Sequence, residues 1–285
     1  MTAPAESGAL PNLIVIGSQK CGTSGLHYYL GLHPEMSMSV PKELDFFIAE
    51  RNYPLGLEWY RSQFDPQAKV RGESSPNYTA YPQHVGVPER MHSIVPEARL
   101  LYMVRDPIDR IAAHWVHNYA KRRERGDLRE TLLHRNTSYL IRSHYYTQLQ
   151  QFLRLYPRDQ VLLLEQEELR HRRLETLRRV FEFAGVDPAF SHASFRDERH
   201  RTARKTRPTP LALPLERIGQ TRRGRLIPTP VWRVVDNLFP FRRTIKVPDV
   251  REALPPEALR SLREDAERLR ELTGREFAGW SIWET

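Results

Sequence analysis

Eight residues near the start of the 285-residue chain have the composition of an anion-binding loop. They follow the continuous apolar run 13–16 and read Gly17-Ser18-Gln19-Lys20-Cys21-Gly22-Thr23-Ser24. Glycines allow a tight turn whose N–H groups point inward, and a helix that begins there adds the positive end of its dipole. Lysine, threonine and serine add a charge and two hydroxyl donors. We therefore expect this loop to bind phosphate or sulfate, the alternative being a strand–helix turn that binds nothing.

The position of the lysine separates this loop from the ATP-binding Walker loop. In the Walker pattern the lysine follows the last glycine directly, and the next hydroxyl residue holds Mg²⁺. Here Thr23 follows Gly22, and Lys20 lies two residues before that glycine. This arrangement disfavours a nucleotide or sulfonucleotide kinase, which stays as an alternative, and the sequence offers no obvious carboxylate pair for a metal.

Two other segments carry residues suited to anion binding and proton transfer. Arg105 follows the apolar run Arg99–Val104, and ligands of α/β proteins bind at the carboxyl ends of parallel strands. Its guanidinium can grip a phosphate with two hydrogen bonds or, alternatively, pair with Asp106 or Asp109. Glu43 carries a carboxylate, a group that can accept a proton, although its position after Pro41 alone favours an exposed glutamate at the start of a helix.

The elements that position these residues alternate along the chain. Strand-like apolar runs occupy 13–16, 99–104 and 160–164, and helical spacing is present at 26–30, 108–119, 174–185 and 256–272. Strands separated by helices indicate an α/β fold with a central parallel β-sheet flanked by helices.

The composition narrows the class of protein. A hydrophobic content of 40% and a charged content of 28% are ordinary for a soluble globular protein, and no apolar run approaches the roughly 20 residues that span a membrane. The single cysteine, Cys21, excludes an internal disulfide and a zinc site built on several thiolates. The first dozen residues lack the features of a secretory signal, so we expect a cytoplasmic protein.

The positive charge of the chain is concentrated late in the sequence. The net charge is +9, whereas residues 196–251 alone hold 15 basic and five acidic residues, a net of +10. Prolines interrupt this segment, which reads as a basic Pro-rich lid or insertion over 196–250. Its apolar stripe 231–239 would contact a lipid-like or aromatic substrate, a second subunit in a homodimer, or its own domain.

Six segments of this chain, in the same order, resemble segments of sulfotransferases that use 3′-phosphoadenosine 5′-phosphosulfate (PAPS), in particular the carbohydrate (heparan-type) branch. They lie within roughly residues 12 to 190, and six matches in order are far more specific than one. The segments are Gln19-Lys20-Cys21-Gly22-Thr23-Ser24, Lys42-Glu43-Leu44-Asp45-Phe46-Phe47, Gly56-Leu57-Glu58-Trp59-Tyr60, Gly72-Glu73-Ser74-Ser75-Pro76-Asn77-Tyr78, Val104-Arg105-Asp106-Pro107 with Arg110, and Phe181-Glu182-Phe183-Ala184-Gly185-Val186.

The resemblance implies a P-loop nucleotide-kinase-like fold and a single sulfotransferase domain over residues 1–285. It implies transfer of a sulfuryl group from PAPS to a hydroxyl of a carbohydrate or glycosylated small molecule, with 3′,5′-ADP as the product. No metal is expected, because the donor carries its own leaving group. A nucleic-acid-binding protein that uses the Arg-rich segment is the alternative from another class. It is disfavoured because that segment lacks regular aromatic interleaving.

The resemblance also implies roles for individual residues. Lys20 would neutralise the bridging oxygen as the phosphate–sulfate bond breaks, and Glu43 would be the general base, with Glu73 and His117 as competitors. The residues expected to bind the donor are Lys20, Cys21, Gly22, Thr23, Ser24, Gly25, Arg105, Lys205 and Arg207.

Two positions depart from the family pattern. Ala113 stands where the family usually has a serine on the 3′-phosphate, eight residues after the arginine. Ser74 stands where the carbohydrate branch has a lysine near the transferred group. The acceptor-side charge pattern therefore differs from that of heparan-type enzymes.

Overall fold

A computed structural model of the chain describes residues 8–124, 126–134, 138–197, 206–208 and 242–284. Five strands form one sheet in the order β2-β3-β1-β4-β5, and every neighbouring pair is parallel. They are β1 (Leu13–Gly17), β2 (Met36–Met38), β3 (Val70–Ser74), β4 (Arg99–Val104) and β5 (Val161–Glu165). A separate antiparallel pair joins β6 (Thr206–Pro208) to β7 (Arg242–Thr244).

Helices pack on this sheet and connect its strands. Those in the described ranges are α1 (Thr23–Leu30), α2 (Gly56–Arg61), α3 (Val87–Ile94), α4 (Pro107–Ala120), α5 (Leu128–His134), α6 (Ser138–Ile141), α7 (Tyr145–Leu153), α8 (Gln166–His171), α9 (Arg173–Ala184), α10 (Val250–Ala253) and α11 (Pro256–Thr273). None of the helices described is long and apolar enough to cross a membrane.

The predicted fold class is confirmed, and local chemistry explains the boundaries of its elements. All five residues of β1 are buried, as expected for a central parallel strand with both faces covered. The side chain of Asp106 caps α4 by accepting a hydrogen bond from the Ile108 amide (2.8 Å), and Pro107 occupies the first helical position. Helix α9 ends at Gly185, whose φ of 77° closes the helix in a left-handed conformation.

The predicted elements differ from the structure in detail. The strand expected at 160–164 begins one residue later, and β2 and β3 were not predicted as strands. Leu174, assigned to the buried face of α9, is 61% exposed. Of the late basic segment, Arg207 lies in β6, while Lys205 and the stripe 231–239 lie outside the described residues.

The order of the strands determines where a ligand can bind. From β1 the chain passes through α1 to the edge strand β2, returns to β3 beside β1, and then places β4 on the other side of β1. The order of the sheet thus reverses at β1. In open parallel sheets a crevice forms at such a switch point, outside the carboxyl ends of the strands. The loop that follows β1 lies at this crevice.

Candidate active site

The loop between β1 and α1 has the backbone arrangement of an anion cradle. The Ser18 amide donates to the Met103 carbonyl of β4 (2.7 Å), which fixes the start of the loop against the sheet. In the described chain, the amides of Gly22, Thr23 and Ser24 have no backbone acceptor. These N–H groups lie at the positive end of α1, so they are available to an anionic ligand.

Two residues of the loop adopt a left-handed backbone conformation, Lys20 (φ 72°) and Gly22 (φ 89°). For glycine this conformation carries little strain, and a Cβ at Gly22 would lie 3.2 Å from the Gln166 side chain. For a lysine it is uncommon, and non-glycine residues held in this region cluster at functional sites. Lys20 therefore holds an uncommon backbone conformation within the candidate loop.

Cys21 and Gly25 lie on the buried side of the loop. Both are buried, and Cys21 Sγ lies 3.5 Å from the Tyr145 hydroxyl. Burial raises the pKa of the Cys21 thiol to about 11. The thiol therefore stays protonated and packs against the core, so only the backbone of Cys21 faces the cradle.

Arg105 lies beside the loop, at the carboxyl end of β4. One of its nitrogens donates to the Lys20 carbonyl (3.4 Å) and another to Asp109 Oδ2 (2.6 Å). The ion pair that sequence reasoning treated as the alternative to phosphate binding is thus present, with Asp109 and not Asp106. The side chain is only 13% exposed and braces the loop.

Buried polar atoms without a hydrogen-bond partner in the described chain surround this end of the loop. They are Gln19 Oε1, Arg105 Nε, Gln166 Oε1 and Glu167 Oε2. Leaving such an atom without a partner costs about 1–3 kcal/mol. Four such atoms thus lie at the junction of the loop, the end of β4 and the start of α8.

On the other side of β1, Glu43 lies in a short loop attached to the end of β3. Its amide donates to the Ser74 carbonyl (3.1 Å), and the Asp45 amide donates to Ser75 Oγ (3.0 Å). Glu43 has a left-handed φ of 67°, and its side chain is 45% exposed. The carboxylate is thus held at the carboxyl end of the sheet where a solvent-borne molecule can reach it.

Glu73, a competing base, is placed quite differently. Its carboxylate is fully buried and accepts hydrogen bonds from three hydroxyl groups, those of Tyr60 (2.5 Å), Ser75 (2.6 Å) and Tyr78 (3.0 Å). Burial raises the pKa of Glu73 to about 7. An acceptor cannot reach this group, which instead supports the end of β3.

We expect Glu73→Gln to make the free energy of unfolding less dependent on pH. The pKa of Glu73 is raised from 4.5 to about 7 on folding, so the folded protein binds this proton more tightly than the unfolded chain. The resulting stability is fully present below pH 4.5 and is lost as pH rises to 7. The loss amounts to about 3 kcal/mol between pH 4 and pH 8. Urea unfolding of both proteins at the two pH values measures it, and parallel pH profiles would contradict the assignment.

The third candidate base, His117, lies half-buried on α4, near Arg110 and His114. Arg110 is fully buried and donates to Ser143 Oγ (2.6 Å) and to the Gln19 carbonyl (3.4 Å), so it supports the loop from below. Burial, followed by the charges of Arg110, Arg142 and Lys20, lowers the pKa of His114 well below its usual range. This face of α4 therefore approaches the anion loop.

Sequence reasoning missed several neighbours of Glu43. The Glu43 carboxylate accepts a hydrogen bond from Lys42 Nζ (2.7 Å), and the Ser74 hydroxyl lies 2.9 Å from His27 Nδ1. The i, i+4 step from Thr23 to His27 on α1 is the signal that places His27 one turn beyond the loop.

Ala113, which stands where the family usually has a serine, is buried and offers no hydroxyl. In the described ranges, no group of three or more His, Cys, Asp or Glu side chains is placed to hold a metal ion.

Fold and site together define an α/β protein with an anion-cradle loop at the switch point of a parallel sheet. The chain belongs to the sulfotransferase domain family, whose model matches residues 10–224. The sulfotransferase family predicted from the sequence is confirmed by this match.

Individual relatives are similar over shorter stretches. Human bifunctional heparan sulfate N-deacetylase/N-sulfotransferase 2 is 28% identical over 207 residues, which cover 64% of this chain and 23% of that protein. The membrane-associated sulfotransferase kil1 of Dictyostelium discoideum is 32% identical over 148 residues, covering 47% of this chain and 30% of the relative. The chain thus spans about a quarter of the length of the N-deacetylase/N-sulfotransferases it matches.

A solved structure covers nearly the whole chain. The sulfotransferase from Alicyclobacillus acidocaldarius superposes with a TM-score of 0.67 at 23% identity and covers 95% of this chain and 99% of its own. At this identity the match establishes the fold alone.

Proposed function

We propose that this protein transfers the sulfuryl group of PAPS to a hydroxyl of a carbohydrate or other small molecule. The observation that carries the proposal is the placement of Lys20 and Glu43 on opposite sides of β1, at the carboxyl end of the sheet. Lys20 belongs to a loop in which three amides have no backbone acceptor among the described residues, and Glu43 is exposed in the short loop attached to β3. Membership of the sulfotransferase domain family supplies the type of reaction.

The donor half of the site lies between β1, β4 and β5. The amides of Gly22, Thr23 and Ser24 and the Lys20 ammonium would hold the 5′-phosphosulfate. We assign Arg105 to the rest of the donor, because it lies beside the loop at the carboxyl end of β4. Sulfuryl transfer resembles phosphoryl transfer in spreading charge over equatorial oxygens, so positioning and electrostatic stabilisation dominate it. Lys20 is the cation that meets charge on the leaving oxygen, and a compact ammonium can follow that charge.

The acceptor half lies between β1, β3 and β2. Glu43 accepts the proton of the attacking hydroxyl, because its carboxylate is 45% exposed and held at the carboxyl end of the sheet. Asp45 helps to hold this loop: it is buried, pairs with Arg51 and accepts from the Asn77 amide (3.0 Å). The base therefore projects from a braced loop, which keeps its position fixed relative to the end of β3.

The acceptor class rests on the relatives. The name of the human relative describes a heparan sulfate N-sulfotransferase, so we carry over only the carbohydrate class of its acceptor, and the choice of a hydroxyl is part of the proposal. The cytoplasmic location, the single domain, the homodimer and the absence of a nucleic-acid partner stay predictions, as do Lys205 and Arg207 as donor-binding residues.

Arg105→Ala is expected to weaken binding of 3′,5′-ADP at least tenfold, a loss of about 1.4 kcal/mol. The variant removes a guanidinium that braces the loop and that we assign to the donor site. Arg99→Ala is the matched control, because Arg99 lies at the opposite end of the same strand and binds the Ala184 carbonyl (2.8 Å). Isothermal titration calorimetry measures both, and equal dissociation constants for Arg105→Ala and the wild type would remove Arg105 from the donor site.

A thermal-shift comparison of three nucleotides tests the proposed donor. PAPS and 3′,5′-ADP are each expected to raise the melting temperature by several degrees, since a ligand at 100 times its dissociation constant adds about 2.7 kcal/mol of stability. ATP with Mg²⁺ is expected to have little effect, because the loop lacks the Walker lysine position. Stabilisation by ATP with Mg²⁺ but not by 3′,5′-ADP would instead support the kinase alternative.

A further inference from the structure

Lys42 forms a close ion pair with the proposed base. Its Nζ lies 2.7 Å from Glu43 Oε1, and its side chain is only 18% exposed. A second pair of the same type, Lys69 with Glu35, has nearly the same separation (2.8 Å), but there the lysine is 58% exposed. Lys42 is thus partly enclosed at the acceptor side, although lysine side chains are usually solvated.

The surroundings of Lys42 show where its charge acts. His27, on α1, lies against Ser74 at the end of β3, with 2.9 Å between Nδ1 and Oγ. The pKa of His27 is lowered to about 4, chiefly by burial and next by the charge of Lys42. His27 is therefore neutral at physiological pH, and Lys42 lies close enough to α1 and the end of β3 for its charge to be felt there.

The ion pair changes its net charge during the proposed reaction. Before transfer, Lys42 and Glu43 together are neutral. When Glu43 accepts the proton of the acceptor hydroxyl, its carboxylate becomes neutral and Lys42 keeps its charge. A net positive charge therefore appears on the acceptor side as the acceptor oxygen bonds to sulfur. An interaction that strengthens as charge develops lowers the barrier without tightening ground-state binding.

We propose that Lys42 is the acceptor-side cation of sulfuryl transfer, contacting an oxygen of the sulfuryl group as Glu43 takes the proton. This assignment rests on the proposed function. Lys42 then acts at the acceptor end as Lys20 does at the donor end. It also supplies the positive charge that Ser74, a neutral residue, cannot.

The proposed transfer step accounts for every bond, proton and electron pair with the groups named above. The acceptor O–H bond breaks, and its proton passes to Glu43. The electron pair left on that oxygen forms the new O–S bond, while the S–O bond to the 5′-phosphate breaks and its electron pair stays on the phosphate oxygen beside Lys20. No oxidant, reductant or further reactant is needed, and the proton leaves Glu43 for solvent after product release.

Lys42→Met is expected to lower PAPS turnover at least tenfold while leaving the dissociation constant of 3′,5′-ADP within twofold of the wild type. Turnover is measured as 3′,5′-ADP formed from PAPS with 4-nitrophenyl β-D-glucoside or water as the acceptor. Lys42→Arg retains the charge and is expected to keep turnover closer to the wild type. Lys69→Met is the matched control for loss of a Lys–Glu pair and is expected to be unchanged.

A double variant separates this role from simple orientation of Glu43. In the Glu43→Gln background, Lys42→Met is expected to lower the residual turnover a further severalfold, since the sulfuryl contact does not depend on the carboxylate. Equal turnover of Glu43→Gln and the double variant would overturn the assignment, as would a Lys42→Met enzyme within twofold of the wild type. Absence of PAPS turnover in the wild type would instead overturn the proposed function, and the role of Lys42 with it.

Discussion

Replacement of Lys20 by alanine is expected to lower the rate of sulfuryl transfer at least about a hundredfold. Removing one donor from a preorganised anion site typically costs a hundredfold to a thousandfold in rate. Lys20 is the charged member of the loop and is held at a φ of 72°, which few lysines adopt. The rate of 3′,5′-ADP formation from PAPS at saturating donor measures the effect.

Lys121→Ala is the control for this experiment, because Lys121 is exposed at the end of α4 and lies outside the proposed site. We expect it to leave the rate within twofold of the wild type. A Lys20→Ala enzyme as fast as Lys121→Ala would contradict the role of the loop lysine, even if the variant bound the donor more weakly.

Glu43→Gln is expected to lower turnover about a hundredfold or more while leaving the dissociation constant of 3′,5′-ADP within twofold. A positioned general base typically contributes a factor of 10² to 10⁴. Glutamine keeps the shape of the side chain and can still contact Lys42, so the main loss is the capacity to take a proton. Parallel measurements of turnover and of 3′,5′-ADP binding by calorimetry separate the two effects.

His117, the rival of Glu43 as the general base, is tested in the same assays. Glu35→Gln is the control for loss of a carboxylate paired with a lysine, since Glu35 pairs with Lys69 away from the crevice. His117→Ala is expected to retain most of the activity. A fully active Glu43→Gln enzyme with an inactive His117→Ala enzyme would move the base to α4, where His117 is half-buried beside Arg110 and His114.

Apolar periodicity predicted the parts of the fold that are stabilised by burial. β1 and β4 are continuous apolar runs, and their predicted positions agree with the structure to within a residue. β3 could not be predicted in this way, because its sequence Val-Arg-Gly-Glu-Ser contains one apolar residue in five. The strand is held by parallel pairing with β1 and β2 and by the hydroxyl groups around Glu73. These contacts join residues that are distant in sequence.

In the candidate site, too, some residues were predictable from the sequence, whereas some contacts depend on the fold. Lys20 was predicted from the chemistry of its loop, whereas Glu43 was predicted from the resemblance of its segment to the sulfotransferase pattern. The pairing of Ser74 with His27 joins residues 47 positions apart, so it depends on how α1 packs beside β3. The effect of the Lys42 charge on His27 likewise depends on the burial of His27, which no local pattern reveals.

The proposed sulfotransferase activity is tested most simply by transfer of ³⁵S from labelled PAPS by the wild-type protein. Lys20→Ala and Glu43→Gln are assayed under the same conditions. The acceptors are a pool of sugar glycosides and simple alcohols, with water present throughout. We expect one 3′,5′-ADP for each labelled sulfate group released or attached to an acceptor, at rates that both variants reduce at least a hundredfold. Intact PAPS after prolonged incubation with a folded, donor-binding wild-type protein, or equal rates in all three proteins, would contradict it.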